Sequence, residues 1–293
     1  MAEFLQQVVS GLATGGIYGS LALAIVLIYR SARVINFAQG EMGMFATFIA
    51  LWLIDSGWPY WWAFAATLVM AFVGGVLIER VVIRPVEGAP AVTVVIVTIG
   101  LFIALNGLAY WIWGGETRSF PSAFSTRAIR IGGVAFSIQD FGIIGVSLAA
   151  VALLFLFFRF TKVGLGLRAA AVNPAASRLV GVRVGWMLAL GWGFASVLGA
   201  VSGMMVAPLV FLDPNMMRPV LLYAIAAAIL GGLESPLGAV VGGLVLGVGL
   251  NLIATYVDFV GETLQLPFAF VVILGVLLVR PAGLFGRVAV RRA

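Results

Sequence analysis

A chain of 293 residues that is 63% hydrophobic and only 10% charged sits far below the roughly 25% charged residues of soluble proteins. Several apolar runs of about 20 residues place it in the membrane class. With no His and no Cys, and with Lys162 as its one lysine, it lacks the usual zinc and haem ligands, thiol nucleophiles and imidazole bases, and it has no P-loop of its own. The net charge of +6 is not a nucleic-acid signature, because the arginines lie in short loops between apolar runs.

In chain order, the hydropathy pattern predicts spans at 6–29, 36–54, 61–79, 91–113, 138–159, 186–207, 219–230, 237–257 and 266–279. The pattern predicts an all-α polytopic membrane protein of about eight or nine segments, forming a single transmembrane domain over 1–293. The chain opens on Glu3 rather than on a basic stretch, so the first apolar run reads as a span and not as a cleaved leader. Gly11, Gly15 and Gly19 recur at four-residue spacing in it, as do Ala195, Gly199 and Gly203 in the sixth span. Gly238 and Gly242, with Gly243 and Gly247 beside them, do the same in the eighth. Such stripes let helix backbones approach closely, within this chain or against a second subunit.

Asn36, Phe37, Ala38, Gln39, Gly40 and Glu41 open the second span. Asn36 is placed to cap it, with Gln39 three residues on as in a capping box and Glu41 in the first turn. Glu41 also lies at or inside the membrane boundary, where a carboxylate is a functional candidate for the path or its gate. Trp52, Trp58, Tyr60, Trp61, Trp62, Tyr110, Trp111 and Trp113 form an aromatic belt at one interface. Asn106 and Asn251 are amides inside spans, suited to interhelical hydrogen bonds. The loop 114–137 is too short for a core of its own.

The segment 161–185 is a polar, Arg-bearing break. Within it Asn173 can cap a helix, Pro174 suits its first position, and Gly181 can end it. Ala175, Ala176, Leu179 and Val180 share one face, with Arg178 off it. Two turns of helix do not hold themselves up in water, so this one needs a docking partner. Span 219–230 covers roughly 18 Å, short of a core of about 30 Å. It reads either as a half-helix or as a span extended through Met216 and Met217. Gly231 and Gly232 stop it, and Ser235 and Pro236 start the next helix. Arg280 to Gly286 ends the last helix, with Pro281 as the stop.

Loop charges divide cleanly. Arg30, Arg33, Arg80, Arg84, Arg159, Lys162, Arg168, Arg178, Arg183, Arg280, Arg287, Arg291 and Arg292 fall on one side, and Arg118, Arg127, Arg130 and Arg218 on the other. The positive-inside rule puts the first group and the C-terminus in the cytoplasm, with the N-terminus outside.

Four stretches in order, INFAQGE at 35–41, IERVVIRPVEGAP at 78–90, LRAAAVNPAASRLVGV at 167–182, and GGLESPLGAVVGG at 231–243 followed by RPAGLFG at 280–286, resemble the permease subunits of branched-chain amino acid ABC importers. The resemblance runs the length of the chain. It implies a multi-pass protein of the bacterial inner membrane that works with a second, homologous permease subunit, two cytoplasmic ATPases and an extracytoplasmic binding protein. ATP and magnesium would sit on the ATPases, and this chain would bind no cofactor and catalyse no reaction. The stretch containing Arg168, Asn173, Pro174, Arg178, Leu179 and Gly181 matches the family's coupling helix, which seats on the ATPase. Gln39 stands where the family commonly has His, and Glu234 where it commonly has Gly. Both departures bear on cargo, since related permeases carry urea, amides or aromatic acids. The competing class, an ion-coupled secondary transporter, calls for several buried carboxylates or histidines, and only Glu41 qualifies by sequence. A channel calls for a selectivity ring, and none is visible.

Overall fold

The computed structural model describes residues 2–125, 127–131, 134–257, 264–280 and 282–286. Pro281, Arg287, Arg291 and Arg292 lie outside the described residues. The helices are α1 (Ala2–Ala32), α2 (Gln39–Asp55), α3 (Tyr60–Ile78), α4 (Ala91–Trp113), α5 (Ile138–Phe160), α6 (Lys162–Val172), α7 (Pro174–Leu179), α8 (Val184–Val210), α9 (Met217–Gly231), α10 (Pro236–Tyr256) and α11 (Gln265–Val279). Six of the described helical stretches are long and apolar enough to cross a bilayer, and α9 and α11 are shorter apolar helices. The predicted spans and the observed helices agree to within a few residues.

The core forms around α1, which packs most extensively on α10 and α8 and also touches α5 and α9. The small-residue stripes explain why these helices can meet. A Cβ added at Gly243 would lie 2.3 Å from the Cα of Gly19, and one at Gly247 would lie 2.4 Å from the Cα of Gly15. Gly11 faces the backbone of Val248 in the same crossing. Gly242 and Gly238 press on the end of α9 at Ala227 and Gly231, and Gly199 and Gly203 press on α2 at Gln39, Gly43 and Thr47. All three stripes are therefore occupied by neighbours within the chain, where dispersion between closely apposed backbones holds helices together in lipid.

Helix α2 is short, at 17 residues, and largely surrounded by α8, α3, α4 and α9. Helix α9 begins at Met217, two residues before the predicted span, and its 15 residues cover roughly 22 Å. It is thus extended at its start and still shorter than a bilayer core. Its C-terminus turns through Gly232 at φ 104°, and Ser235 then caps α10 by accepting from the Gly238 N–H at 3.0 Å, with Pro236 in the first turn. The RPAGLFG segment does more than stop the last helix. Leu284 and Phe285 donate their N–H groups to the carbonyls of Leu230 and Gly231 at 2.8 and 3.1 Å, satisfying two acceptors that the end of α9 leaves open.

Three features depart from the expectation. The loop 114–137 contains an antiparallel hairpin, β1 (Ala128–Ile131) with β2 (Val134–Ser137), and Arg118 pairs by both backbone bonds with Leu212 in the α8–α9 connection. An 11-residue helix, α6, precedes α7. Helix α3 does not stop at residue 79 but continues as a π-helical turn, Glu79–Ile83, and a 3₁₀ turn, Arg84–Val86. This continuation keeps Glu79 buried and lays the Arg80 guanidinium 4.0 Å over the Trp186 ring of α8. Glu41 is therefore not alone: Glu79 is a second buried carboxylate among the described residues. The sequence placed Glu79 at a span end beside loop arginines, and the continued helix turns it inward.

At one end of the bundle Trp52, Trp58, Trp61, Trp62 and Trp111 are exposed, while Trp113 turns inward to stack on Phe48. Arg30, Arg33, Arg84, Arg159, Lys162, Arg178 and Arg183 lie at helix ends and connections on the other side of the hydropathy pattern, and Arg168 lies within α6. Helix α1 ends with Arg33 in the left-handed region at φ 57°, and its guanidinium pairs with Glu234 of the α9–α10 connection.

Candidate translocation site and coupling segment

The polar residues at the start of α2 do not work as a capping box. The residue before the helix is Ala38, which makes no side-chain cap. The Asn36 side-chain oxygen instead accepts from the Ala38 N–H at 3.0 Å, closing an Asx turn ahead of the helix. Its amide donates to the Gln39 side-chain oxygen at 3.2 Å, and Gln39 in turn donates to the Ala195 carbonyl of α8 at 2.8 Å. Asn36 and Gln39 are fully buried, so these bonds satisfy groups that would otherwise be costly in an apolar setting. Gly40 lies against Leu221 and the Met217 carbonyl of α9, and Phe37 is half-buried against the core.

Glu41 is 1% exposed. Its Oε2 accepts from the Asn106 amide of α4 at 3.2 Å, and the same amide donates to the Pro214 carbonyl at 2.7 Å. Arg218, at the start of α9, donates to the Asn106 side-chain oxygen at 3.4 Å, and its guanidinium lies 5.4 Å over the Phe102 ring. A carboxylate on α2, an amide on α4 and a guanidinium on α9 thus form one connected row, running from the buried interior to the exposed Arg218. Asn215 extends the polar rim by donating to the Tyr110 hydroxyl at 2.7 Å. Glu41 was visible in the sequence as a candidate. Asn106 was legible only as an interhelical bonding group, and Arg218 only as one of the few arginines on the aromatic side. No spacing along the chain joins the three, which come from α2, α4 and the start of α9. The other intraspan amide, Asn251, donates to the Gln7 carbonyl and side-chain oxygen of α1 at 2.7 and 2.8 Å.

The segment 161–185 follows its local signals closely. Thr161 caps α6 by accepting from the Gly164 N–H at 2.9 Å. Gly164 is required there, since a Cβ would lie 2.5 Å from the Phe157 carbonyl. Glycines at 164 and 166 concealed this helix, because they lower helix propensity while serving close packing. Asn173 caps α7 by accepting from the Ala176 N–H at 3.0 Å, Pro174 occupies the first turn, and Gly181 follows at φ 83°. Only Ser177 of α7 is buried. Leu179 is 90% exposed and Val180 79%, and Arg178 projects from the same short helix. Arg168, on α6, instead lines a cavity between helices. Helix α7 thus turns its small polar residue inward and leaves Leu179, with Val180 just after it, outward.

Buried polar groups between closely packed helices, six of which among the described residues are long and apolar enough to cross a bilayer, mark a polytopic membrane protein. Residues 7–279 match the family described as the permease component of branched-chain amino acid transport systems. The chain belongs to that family. It is 29% identical over 303 residues to the Escherichia coli K12 high-affinity branched-chain amino acid transport system permease protein LivH, covering 99% of this chain and 97% of that one. It is 30% identical over 305 residues to the corresponding Pseudomonas aeruginosa protein BraD, with 99% and 98% covered. Among solved structures, the fold is similar to PsaBC from Streptococcus pneumoniae in complex with Fab, at a TM-score of 0.50 and 15% identity, covering 94% of this chain and 90% of that one.

Proposed function

We propose that this chain is a translocation subunit of an ATP-driven, binding-protein-dependent importer of branched-chain or related apolar amino acids. It would sit in the bacterial inner membrane with its Arg-rich end and C-terminus in the cytoplasm. The observation that carries the ATP-driven reading is the outward face of α7, where Leu179 and Val180 stand clear of the chain's own core. The full-length family match supports the cargo class. The whole chain acts as one permease unit, and 161–185 is its coupling segment. A second permease, two ATPases that hold ATP and magnesium, and an extracytoplasmic binding protein complete the machine. ATP binding closes the ATPases, α7 moves with its cleft, and α8, which begins five residues after α7 ends, transmits the motion to α2 and α3. The binding protein then delivers cargo to the outer mouth, and hydrolysis restores the inward-facing state.

The row Glu41–Asn106–Arg218 fits the cargo chemically. A carboxylate and a guanidinium held apart by one amide match the ammonium and carboxylate of a zwitterion, and the apolar walls accept an aliphatic side chain. In this conformation the row is closed, and it becomes reachable when α2, α4 and α9 part.

The test is to purify the complex from co-expressed subunits, reconstitute it, and measure ATPase stimulation by the loaded binding protein. The panel contains branched-chain amino acids, short amides, urea and aromatic acids. Stimulation by leucine-type ligands supports the reading. Uptake that persists without ATPase subunits and follows a proton or sodium gradient overturns it.

A further inference from the structure

A cavity of about 300 Å³ lies between α1, α5, α6, α8 and α10, at the low end of the roughly 300–1,000 Å³ typical of ligand sites. Its body is apolar, walled by Leu23, Leu154, Phe158 and Val240 among others, and Arg30, Arg159 and Arg168 also line it. The arginines are grouped at one end. Arg30 is in the last turn of α1 and Arg159 in the last turn of α5, whereas Leu23 lies seven residues deeper, roughly 10 Å along the helix axis. That depth compares with a hydrocarbon half-thickness of about 15 Å.

Two observations distinguish this cavity from a chance gap. The first is charge: among the described residues none of these three arginines makes an ion pair or a side-chain hydrogen bond. The nearby acid, Glu234, is already engaged by Arg33. The Arg159 guanidinium has only the Phe160 ring, 5.7 Å away, beside it, and each of the three arginines offers donors in the fork geometry that suits phosphate. The second is access: Phe155 and Leu237, which also line the cavity, are 44% and 62% exposed. The cavity therefore opens sideways between α5 and α10, two helices long and apolar enough to cross a bilayer, and not only at its arginine end.

We propose that this cavity binds one anionic phospholipid of the cytoplasmic leaflet, with an acyl chain in the apolar body and the phosphate held by Arg30, Arg159 and Arg168. Basic pockets between spans on the cytoplasmic side suit such head groups, and the apolar body gives a lipid an advantage over a soluble phosphate. The choice of leaflet rests on the sidedness taken above. The site itself does not, and because α6 and α8 form two of its walls, the lipid would brace the joint between the coupling segment and the bundle.

The test uses the full chain purified in detergent and examined by native mass spectrometry with phosphatidylglycerol or phosphatidylcholine of matched acyl chains. Wild-type protein should retain phosphatidylglycerol under conditions that strip phosphatidylcholine. The triple variant R30Q/R159Q/R168Q should weaken that binding by roughly tenfold or more, since each arginine contributes a charge-assisted hydrogen bond. If the triple variant fails to fold, R159Q alone carries the same expected direction. G191F reaches the apolar body: an added Cβ at Gly191 meets nothing within 4 Å, so the ring fills the cavity and should lower lipid occupancy with the arginines intact. Equal retention of the two lipids, or unchanged binding in the arginine variants, overturns the proposal. Wild-type binding in G191F together with displacement by glycerol phosphate would assign the arginines to a soluble anion instead. Binding is read on the isolated chain, so its failure leaves the transport reading untouched, and failure of transport leaves this result standing.

Discussion

The double variant L179A/V180A tests the proposed docking role of α7. Leu179 is 90% exposed and Val180 79%, so neither contributes much to the fold of the chain itself, and nearly all of each side chain remains to be buried by a partner. Truncating Leu to Ala removes three carbons and Val to Ala two. At about 0.8 kcal/mol per buried carbon, scaled by these exposures, the pair forfeits about 3.5 kcal/mol of docking energy if the partner covers it fully. That corresponds to a loss of affinity of roughly two to three orders of magnitude. The assay has two arms: retention of the ATPase subunits during affinity purification through this chain, and binding-protein-stimulated ATP hydrolysis in proteoliposomes. Membrane insertion and the melting temperature of the isolated chain should not move. ATPase retention at the wild-type level would refute the assignment of this face, whatever happened to uptake.

Three further outcomes follow from particular contacts. G243A should destabilise the chain by about 1–3 kcal/mol, because its Cβ would lie 2.3 Å from the Cα of Gly19. G249A, with nothing within 4 Å, should be neutral or slightly stabilising through helix propensity. Matching thermal melts for the two would contradict the α1–α10 crossing. N251A removes the donor to both Gln7 oxygens and should cost about 1 kcal/mol, read by the same melts and suppressed when Gln7 is also replaced. E41Q keeps an acceptor for Asn106 but removes the charge, so the KM for zwitterionic amino acids should rise by roughly tenfold. Uncharged amides should be much less affected, and unchanged amino acid kinetics would reduce Glu41 to a packing residue.

Much of the helical frame was legible from hydropathy, because in lipid every spanning backbone must satisfy its own hydrogen bonds and so becomes a helix over its apolar run. Caps written in adjacent residues were equally legible: Asn173 with Pro174 for α7, and Ser235 with Pro236 for α10. Where a polar residue had two possible partners, local spacing misled. Asn36 and Gln39 stand at capping-box spacing, yet Gln39 spends its donor on Ala195, 156 positions away. The extension of α3 past Glu79 was hidden for a similar reason. Arg80 and Arg84 look like the start of a loop, whereas the π-helical turn packs on α8 and α4, with Arg80 over Trp186.

The sequence by itself determined that this is a membrane chain, where its spans lie, and that 161–185 carries a short capped helix. Those properties depend on hydropathy and on bonds between neighbours in the chain. Tertiary structure alone decided which helices the glycine stripes join, that Glu41, Asn106 and Arg218 form one row, and that Arg30, Arg159 and Arg168 surround one cavity. Each of those groupings brings together residues from different helices. Their proximity is set by how closely small residues let the backbones approach, a condition that spacing along a single helix does not contain.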